Sequence, residues 1–543
     1  MDREGPRGRR DRPLRRRRAR AAAPGARARG ERGAGLSGAS TSAPAGAPFV
    51  PHSDAYRLRR FWNWFPMGFA YALLYMGRYN LTVAKNALGE QLTKDEFGEI
   101  FGVGTFVYGL AFIINGPLTD RIGGRKAMLV ALLGAGVVNL ALGLHLERAL
   151  SGDPGSLYTG VLVLYAANMY FQSFAAVAIV KVNAAWFHIR ERGGFSGIFG
   201  TMIASGIFLA FTGNEWILAR AGTTEAGLAR TWWAFLAPAL LLLAMFAVEL
   251  FLLRDQPSHA GQQDFDTGEG RVSGDAEQVS GLRLIGRILT HPILLTVAFI
   301  EFCTGVLRQA VMNWFPIYAK EVWELPSNHA LRKGNWGAVG GGTGLLIAFG
   351  VGLGLFLLSR KMSGRARGSL IALAGLACLV PFAFGGGWGG LLFVAGVIGG
   401  NVAGWCSDLF FHSRRGPTVA LFYGLCVLGA VGLYFTLSPT PDNVGAMAAL
   451  MFVMSIAVIG SHGLLSGTAT MDFGGRKAAG TAVGVIDGFV YLGTGLQAVC
   501  LGELTTRDWS YWPLFMLPFA VIGFLLCLRI WHAMPGAVRK GGH

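Results

Sequence analysis

The sequence predicts an all-α polytopic membrane protein of about fourteen transmembrane helices: two six-helix lobes plus an inserted two-helix hairpin. Three observations predict it. Of 543 residues, 52% are hydrophobic and 15% charged, with a mean hydropathy of +0.44, which is too apolar for a water-soluble chain. Apolar runs of about 20 residues recur along the chain, each long enough to cross a hydrocarbon core of about 30 Å. One unusual feature also occurs twice: Arg78 lies sixteen residues beyond Trp62, and Arg308 sixteen beyond Pro292, each inside a long apolar run. Eighty glycines suit close helix packing in a bilayer.

Residues 1–60 are expected to be a disordered cytoplasmic tail. Thirteen Arg against four Asp or Glu in residues 1–32 give +9 of the net +17, in a segment rich in Pro, Gly and Ala. Such a tail orients the chain and touches anionic lipid, and no nucleic-acid partner is expected. No apolar core precedes Phe61, so a cleaved signal peptide is not expected. The N-terminal lobe, 61–253, holds six spans at about 62–87, 97–118, 126–146, 157–186, 194–213 and 231–253. A polar cytoplasmic linker, 254–289, follows. The C-terminal lobe, 290–531, shows eight runs, at about 290–319, 339–359, 369–387, 389–409, 417–437, 443–470, 478–502 and 511–531.

Loop charge explains the surplus pair. Basic turns at Arg121/Arg125/Lys126, Arg190/Arg192, Arg414/Arg415 and Arg476/Lys477, and the tail 532–543 with Arg539/Lys540, alternate as cytoplasmic turns should from an inside N-terminus. Reading 339–387 as an inserted hairpin places the basic loop Arg360–Gly368 inside too and leaves everything downstream on its side. The six cysteines all fall in predicted spans, so no disulfide framework or metal spacing is read.

An arginine at membrane depth costs at least about 2.5–3.5 kcal/mol and by default faces a bundle interior or a water-filled cavity. Two such arginines at one depth, in two similar halves, select an anion, because guanidinium forks match phosphate or carboxylate oxygens. Tyr71 and Tyr75, one and two turns before Arg78, could add hydroxyl contacts or simply pack. Lys85 is a further cation beyond Arg78. Glu301, two turns before Arg308, reads either as a proton-coupling carboxylate or, the favoured reading, as a charge partner that lowers the cost of burying Arg308. Asp487 and His462 could line the cavity or be satisfied within helix packing.

After the second span, GPLTDRIGGRK (Gly116–Lys126) resembles the loop signature of the major facilitator superfamily. It offers an ion-pair latch in which Asp120 takes a basic partner or a helix N-terminus while Arg121 and Arg125 stay in water. A degenerate copy, GWCSDLFFHSRRG (Gly404–Gly416), repeats its aspartate as Asp408. LLYMGRYNL, WFHIRERGG, LLRDQPS, VLRQAVMNWFPIYAKEV and RKAAGTAVGVIDGFVYLG occur in an order similar to that of the organophosphate:inorganic phosphate antiporter family, from about Arg60 to Trp531. That resemblance implies that Arg78 and Arg308 bind a substrate phosphate and that Lys181 matches a basic substrate-site residue. Ile203, Phe112 and Tyr79 stand where the glycerol-3-phosphate carriers have polar or basic contacts, which leaves the organic part of the substrate open.

The function so implied is alternating-access uptake of an organic phosphate in exchange for inorganic phosphate. The alternatives are a membrane sensor of phosphate esters and a transporter of a carboxylate anion. No Walker-type phosphate loop, nucleophile elbow or HExxH is present in the sequence, so no enzyme activity, cofactor or metal is expected. A monomer in a bacterial cytoplasmic membrane, with both termini inside, completes the expectation.

Overall fold

The computed structural model describes residues 52–152, 157–188, 191–224, 229–267, 281–326, 329–412 and 414–532. Most of the Arg-rich tail, part of the linker and the tail beyond 532 lie outside the described residues. The helices, in order, are α1 (Asp54–Leu88), α2 (Lys94–Ile122), α3 (Gly124–Ser151), α4 (Leu157–Trp186), α5 (Arg192–Phe208), α6 (Asn214–Ala221), α7 (Trp233–Leu252), α8 (Gly281–Thr290), α9 (Pro292–Glu321), α10 (Ala330–Lys333), α11 (Gly341–Ser359), α12 (Gly364–Gly385), α13 (Gly387–Phe411), α14 (Arg415–Thr436), α15 (Val444–Arg507) and α16 (Tyr511–Arg529).

Local chemistry sets the ends. Ser53 caps α1, its Oγ accepting from the Tyr56 N–H at 3.2 Å, so the first helix starts at Asp54, ahead of the predicted Trp62. Thr93 and Glu96 form a reciprocal capping box at the start of α2. Gly123 ends α2 with φ +92, a left-handed turn that lets Asp255 approach the start of α3. α5 continues through a π-helical turn, Leu209–Gly213, into α6, so the predicted span 194–213 runs on to Ala221.

Thirteen stretches of the described residues are long and apolar enough to span a membrane. α1 is the fourteenth: Arg78, three asparagines and its many aromatics lower its hydropathy, but at 35 residues it is long enough, and it is buried almost without break from Met67 to Asn86. α15 supplies two spans. Its 64 helical residues cannot run straight, because the Ser466 hydroxyl donates to Asp487, and a straight helix would set residues 21 apart at about 31 Å. The chain therefore folds back between its two arms, Pro441–Ser466 and Thr481–Arg507, as the two predicted spans require.

Helices α1–α7 pack chiefly with one another, and so do α9 and α13–α16. The two sets meet along α2 against the second arm of α15, α5 against α13, and α1 against α9. α11 and α12 stand outside both. Only 6% of the most apolar stretch of α11 is buried and 17% of that of α12, so this pair faces lipid, with α12 lying on α13. Deletion of residues 339–387 is accordingly expected to leave phosphate-ester affinity within about twofold of the intact protein, since the pair packs against α5 and α13 at one end and contacts neither arginine-bearing helix. Folded protein without affinity would overturn this expectation.

Candidate anion site

α1 enters from one face of the bundle, the near face, and carries Arg78 to the middle of its buried stretch. Its guanidinium is fully buried and each nitrogen has a hydrogen-bond partner: Nε donates to Gln172 Oε1 at 3.0 Å, Nη1 to the Tyr491 hydroxyl at 2.7 Å and Nη2 to the Tyr108 hydroxyl at 2.9 Å. The rings of Tyr75, Tyr108 and Tyr491 stand 4.7, 4.5 and 5.6 Å from its Cζ, which adds cation–π attraction to a cation that has no carboxylate beside it among the described residues. A polar ladder fixes this part of α1. Asn80 donates to Asn139, Asn139 to Asn168, and both Asn168 and Gln172 donate to the Gly77 carbonyl, while the Tyr165 hydroxyl donates to that of Arg78.

α9 brings Arg308 to the same aromatic group, 5.6 Å from the Tyr491 ring. Its Nε and Nη2 are buried and make no hydrogen bond among the described residues. Unmade donors on a buried guanidinium are costly, and an anion's oxygens would satisfy them. Tyr491 thus lies between the two arginines. It is placed there by glycine: Gly305 of α9 and Gly493 of α15 face the Val490 and Phe302 carbonyls so closely that a Cβ on either would collide with backbone. Just beyond the arginines, Gln309 donates to the Tyr79 hydroxyl at 2.6 Å and Thr82 to Asn313 at 3.2 Å, joining α1 to α9.

The residues expected around the phosphate separate into distinct places. Tyr75 lies against Arg78, and Tyr71 packs edge-on against Tyr75 at 5.2 Å. Lys181 does not reach the arginines. It pairs with Asp120 at 2.8 Å near the end of α4, because α4 runs back to the near face. Lys85 is likewise displaced: two turns beyond Arg78 it lies 3.6 Å from Glu321, which Lys94 also approaches at 2.9 Å, at the far face. Glu301 is hydrogen-bonded to His462, Oε2 to Nδ1 at 2.8 Å, and lies within electrostatic reach of Arg308 two turns on. Asp487 accepts from Ser466 one turn before Tyr491.

Both faces are latched. At the near face Asp120 of α2 takes Lys181 on one oxygen and the Thr481 N–H and hydroxyl on the other, at 3.1 and 3.0 Å, so it ties the first helix set to the second. Arg121 is exposed. Arg125 does not stay free in water: its side chain donates to the Leu250 carbonyl and its N–H to Asp255, which clasps α3 to α7. Asp408 sits in α13, and its side chain lies outside the described residues. At the far face Lys94 also donates to the Thr505 carbonyl and Thr506 to Asp95. Arg78 is 0% and Arg308 6% exposed between these latches, an occluded arrangement.

Sequence reasoning missed Tyr108, Gln172, Gln309 and Tyr491 as partners of the arginine region. All are polar groups within predicted spans, which was the available signal, but only tertiary pairing across 30 to 413 positions selects them.

The family model described as Major Facilitator Superfamily matches residues 67–407. The chain belongs to this superfamily. Members similar to it over most of its length include the membrane sensor protein UhpC of Escherichia coli strain K12, 25% identical, covering 90% of this chain and 97% of that one. A probable hexose phosphate transport protein of Chlamydia muridarum is 23% identical, with 90% and 94% covered. A glycerol-3-phosphate transporter of Bacillus subtilis is 22% identical, with 90% and 97% covered. Two solved superfamily structures share the fold at 13% identity. The partially occluded inward-open xylose transporter XylE from E. coli has a TM-score of 0.57, covering 88% of this chain and 98% of that one; outward-facing FucP has 0.52, covering 86% and 98%.

Proposed function

We propose that this superfamily member is a secondary transporter that carries an organic phosphate by alternating access, exchanging it for inorganic phosphate. The observation that carries the reading is the unpartnered Nε and Nη2 of Arg308, buried beside a tyrosine that also receives Arg78. Two fixed guanidinium charges suit a phosphate dianion better than a monocarboxylate. Similarity to hexose phosphate and glycerol-3-phosphate transport proteins supports the same cargo class. In this reading α1–α7 and α9–α16 are the two lobes, Arg78 and Arg308 hold the phosphoryl group, and Asp120–Lys181–Thr481 and Lys85–Glu321–Lys94 are the latches that part in turn. The basic turns on the near face, with Arg121, Arg360 and Arg414, support a cytoplasmic orientation of that face in a bacterial membrane. A cysteine introduced at Ser363 should then resist an impermeant thiol reagent added outside intact cells; labelling from outside would invert the orientation.

Proteoliposomes loaded with inorganic phosphate provide the test. They should take up labelled glycerol 3-phosphate or glucose 6-phosphate, and external phosphate should release it. Similarity to the sensor UhpC favours a second reading, in which the same clamp detects a phosphate ester. Binding without counterflow would select the sensor, and counterflow of acetate or succinate alone would select the carboxylate carrier.

A further inference from the structure

The first helix set contributes one buried cation to the clamp, and the second contributes a cation together with a buried acid–base pair that the clamp does not use. Glu301 is fully buried on α9, with Oε2 2.8 Å from His462 Nδ1 on the first arm of α15. Its other oxygen, Oε1, is also buried and has no hydrogen-bond partner among the described residues. An ionised carboxylate held that way wastes an acceptor in a medium of low dielectric, and a proton shared by the pair removes the penalty. The pair is close to the clamp. Seven residues separate Glu301 from Arg308, which is two turns of one helix face and about 10 Å. Asp487, on the second arm of α15, precedes Tyr491 by one turn and accepts from Ser466, which follows His462 by one turn.

We propose that Glu301 and His462 form a proton-binding pair whose protonation is coupled to anion binding at Arg308, so that a proton accompanies the anion. This rests on the transport reading of the clamp. Arg78 and Arg308 supply two positive charges; an ionised Glu301 beside neutral His462 reduces the sum to one, and a proton on the pair restores it to two. With Asp487 neutral, a phosphate ester dianion is neutralised only in the protonated state. Asp487 has the same sign as Glu301 when ionised and adds to the demand for a proton. Among the described residues, the other titratable groups within electrostatic reach are Cys303 on α9, Tyr423 on α14 and Cys527 on α16. Tyr423 is hydrogen-bonded to Thr304 and to the Ile300 carbonyl. The thiols and the phenol are uncharged near neutrality and do not compensate the carboxylate. No bond to carbon or phosphorus changes. The proton comes from water through His462, whose side chain is 23% exposed against none for Glu301, and leaves with the anion.

A unit charge about 10 Å from a dianion, at an effective dielectric near 20, changes its affinity by about 200-fold. Isothermal titration of glycerol 3-phosphate into the full-length, detergent-solubilised protein, in two buffers of different ionisation enthalpy across about pH 5 to 8, reads the coupling. The wild type should take up nearly one proton per anion between the pair's titration in the free and in the anion-loaded protein, with affinity falling about 200-fold across that range. Glu301→Gln mimics the protonated acid. It should bind at every pH with the affinity the wild type reaches in acid and take up only the protons that the ligand's own second ionisation accounts for. Glu301→Met provides a second removal of the carboxylate if Glu301→Gln does not fold. Equal proton uptake by wild type and both variants would overturn the proposal. So would loss of binding in folded Glu301→Gln at every pH, which would make Glu301 a support for Arg308. Absence of any binding in the wild type would instead remove the anion clamp itself, and this inference with it.

Discussion

Lysine in place of either Arg78 or Arg308 should lower phosphate-ester exchange by at least about a hundredfold, although charge is conserved. The loss of two charge-assisted hydrogen bonds of fixed geometry is worth about 3 kcal/mol, and each 1.4 kcal/mol is tenfold. The cause is shape. Arg78 points three nitrogens at Gln172, Tyr491 and Tyr108 at once, a fork that an ammonium on a flexible stem cannot reproduce. Arg308 keeps Nε and Nη2 uncommitted and parallel, the pair of donors that two oxygens of one phosphoryl group can accept. Counterflow in proteoliposomes, with folding checked by size exclusion, measures the effect. Near-normal exchange by either variant would return that arginine to a structural role.

The second large effect is expected from Gly305→Val, a change that adds no charge and touches no arginine. A Cβ at Gly305 collides with the Val490 carbonyl, and the facing Gly493 is just as tight against Phe302, so α9 and the second arm of α15 would have to separate. Overpacking of this kind costs about 1–3 kcal/mol, and separation also moves Tyr491 off Arg308. Both thermal stability and anion affinity should therefore drop together. Gly354→Ala in α11, where an added Cβ meets nothing within 4 Å, is the matched control and should change neither. A stable Gly305→Val protein with full affinity would mean that the close approach does not set the site.

Depth in the membrane was legible because charge inside an apolar run is conspicuous, and this found Arg78, Arg308 and Glu301. Direction was not. Lys85 and Lys181 looked like parts of the clamp because a linear count from Arg78, or a match to a basic position, says nothing of which face the helix has reached by that residue. Two turns carry Lys85 to Glu321, and the reversed course of α4 carries Lys181 to Asp120. Partners were hidden for another reason. Glu301 and His462 are 161 positions apart, and among several polar groups in the later spans only the fold-back of α15 decides which one meets Glu301. Spans were read well except where local geometry overrode hydropathy: the start of α1, set by the Ser53 cap, and the π turn that lengthens α5 into α6.

The outlying pair α11 and α12 is fastened at one end. Thr212, within the π turn, donates to the Gly386 carbonyl at the end of α12, Trp216 donates to the Lys333 carbonyl, and Phe382 packs edge-on against Phe208. α5 and α6 belong to one helix set and α13, which α12 continues into, to the other. A lipid-embedded outrigger is thus moored across a seam that must shear whenever the two sets rock. If the sets rock as proposed, bilayer thickness, which sets how two such helices tilt, is expected to change the turnover rate without changing affinity at the proposed clamp, and turnover compared in proteoliposomes of short- and long-chain lipids checks it.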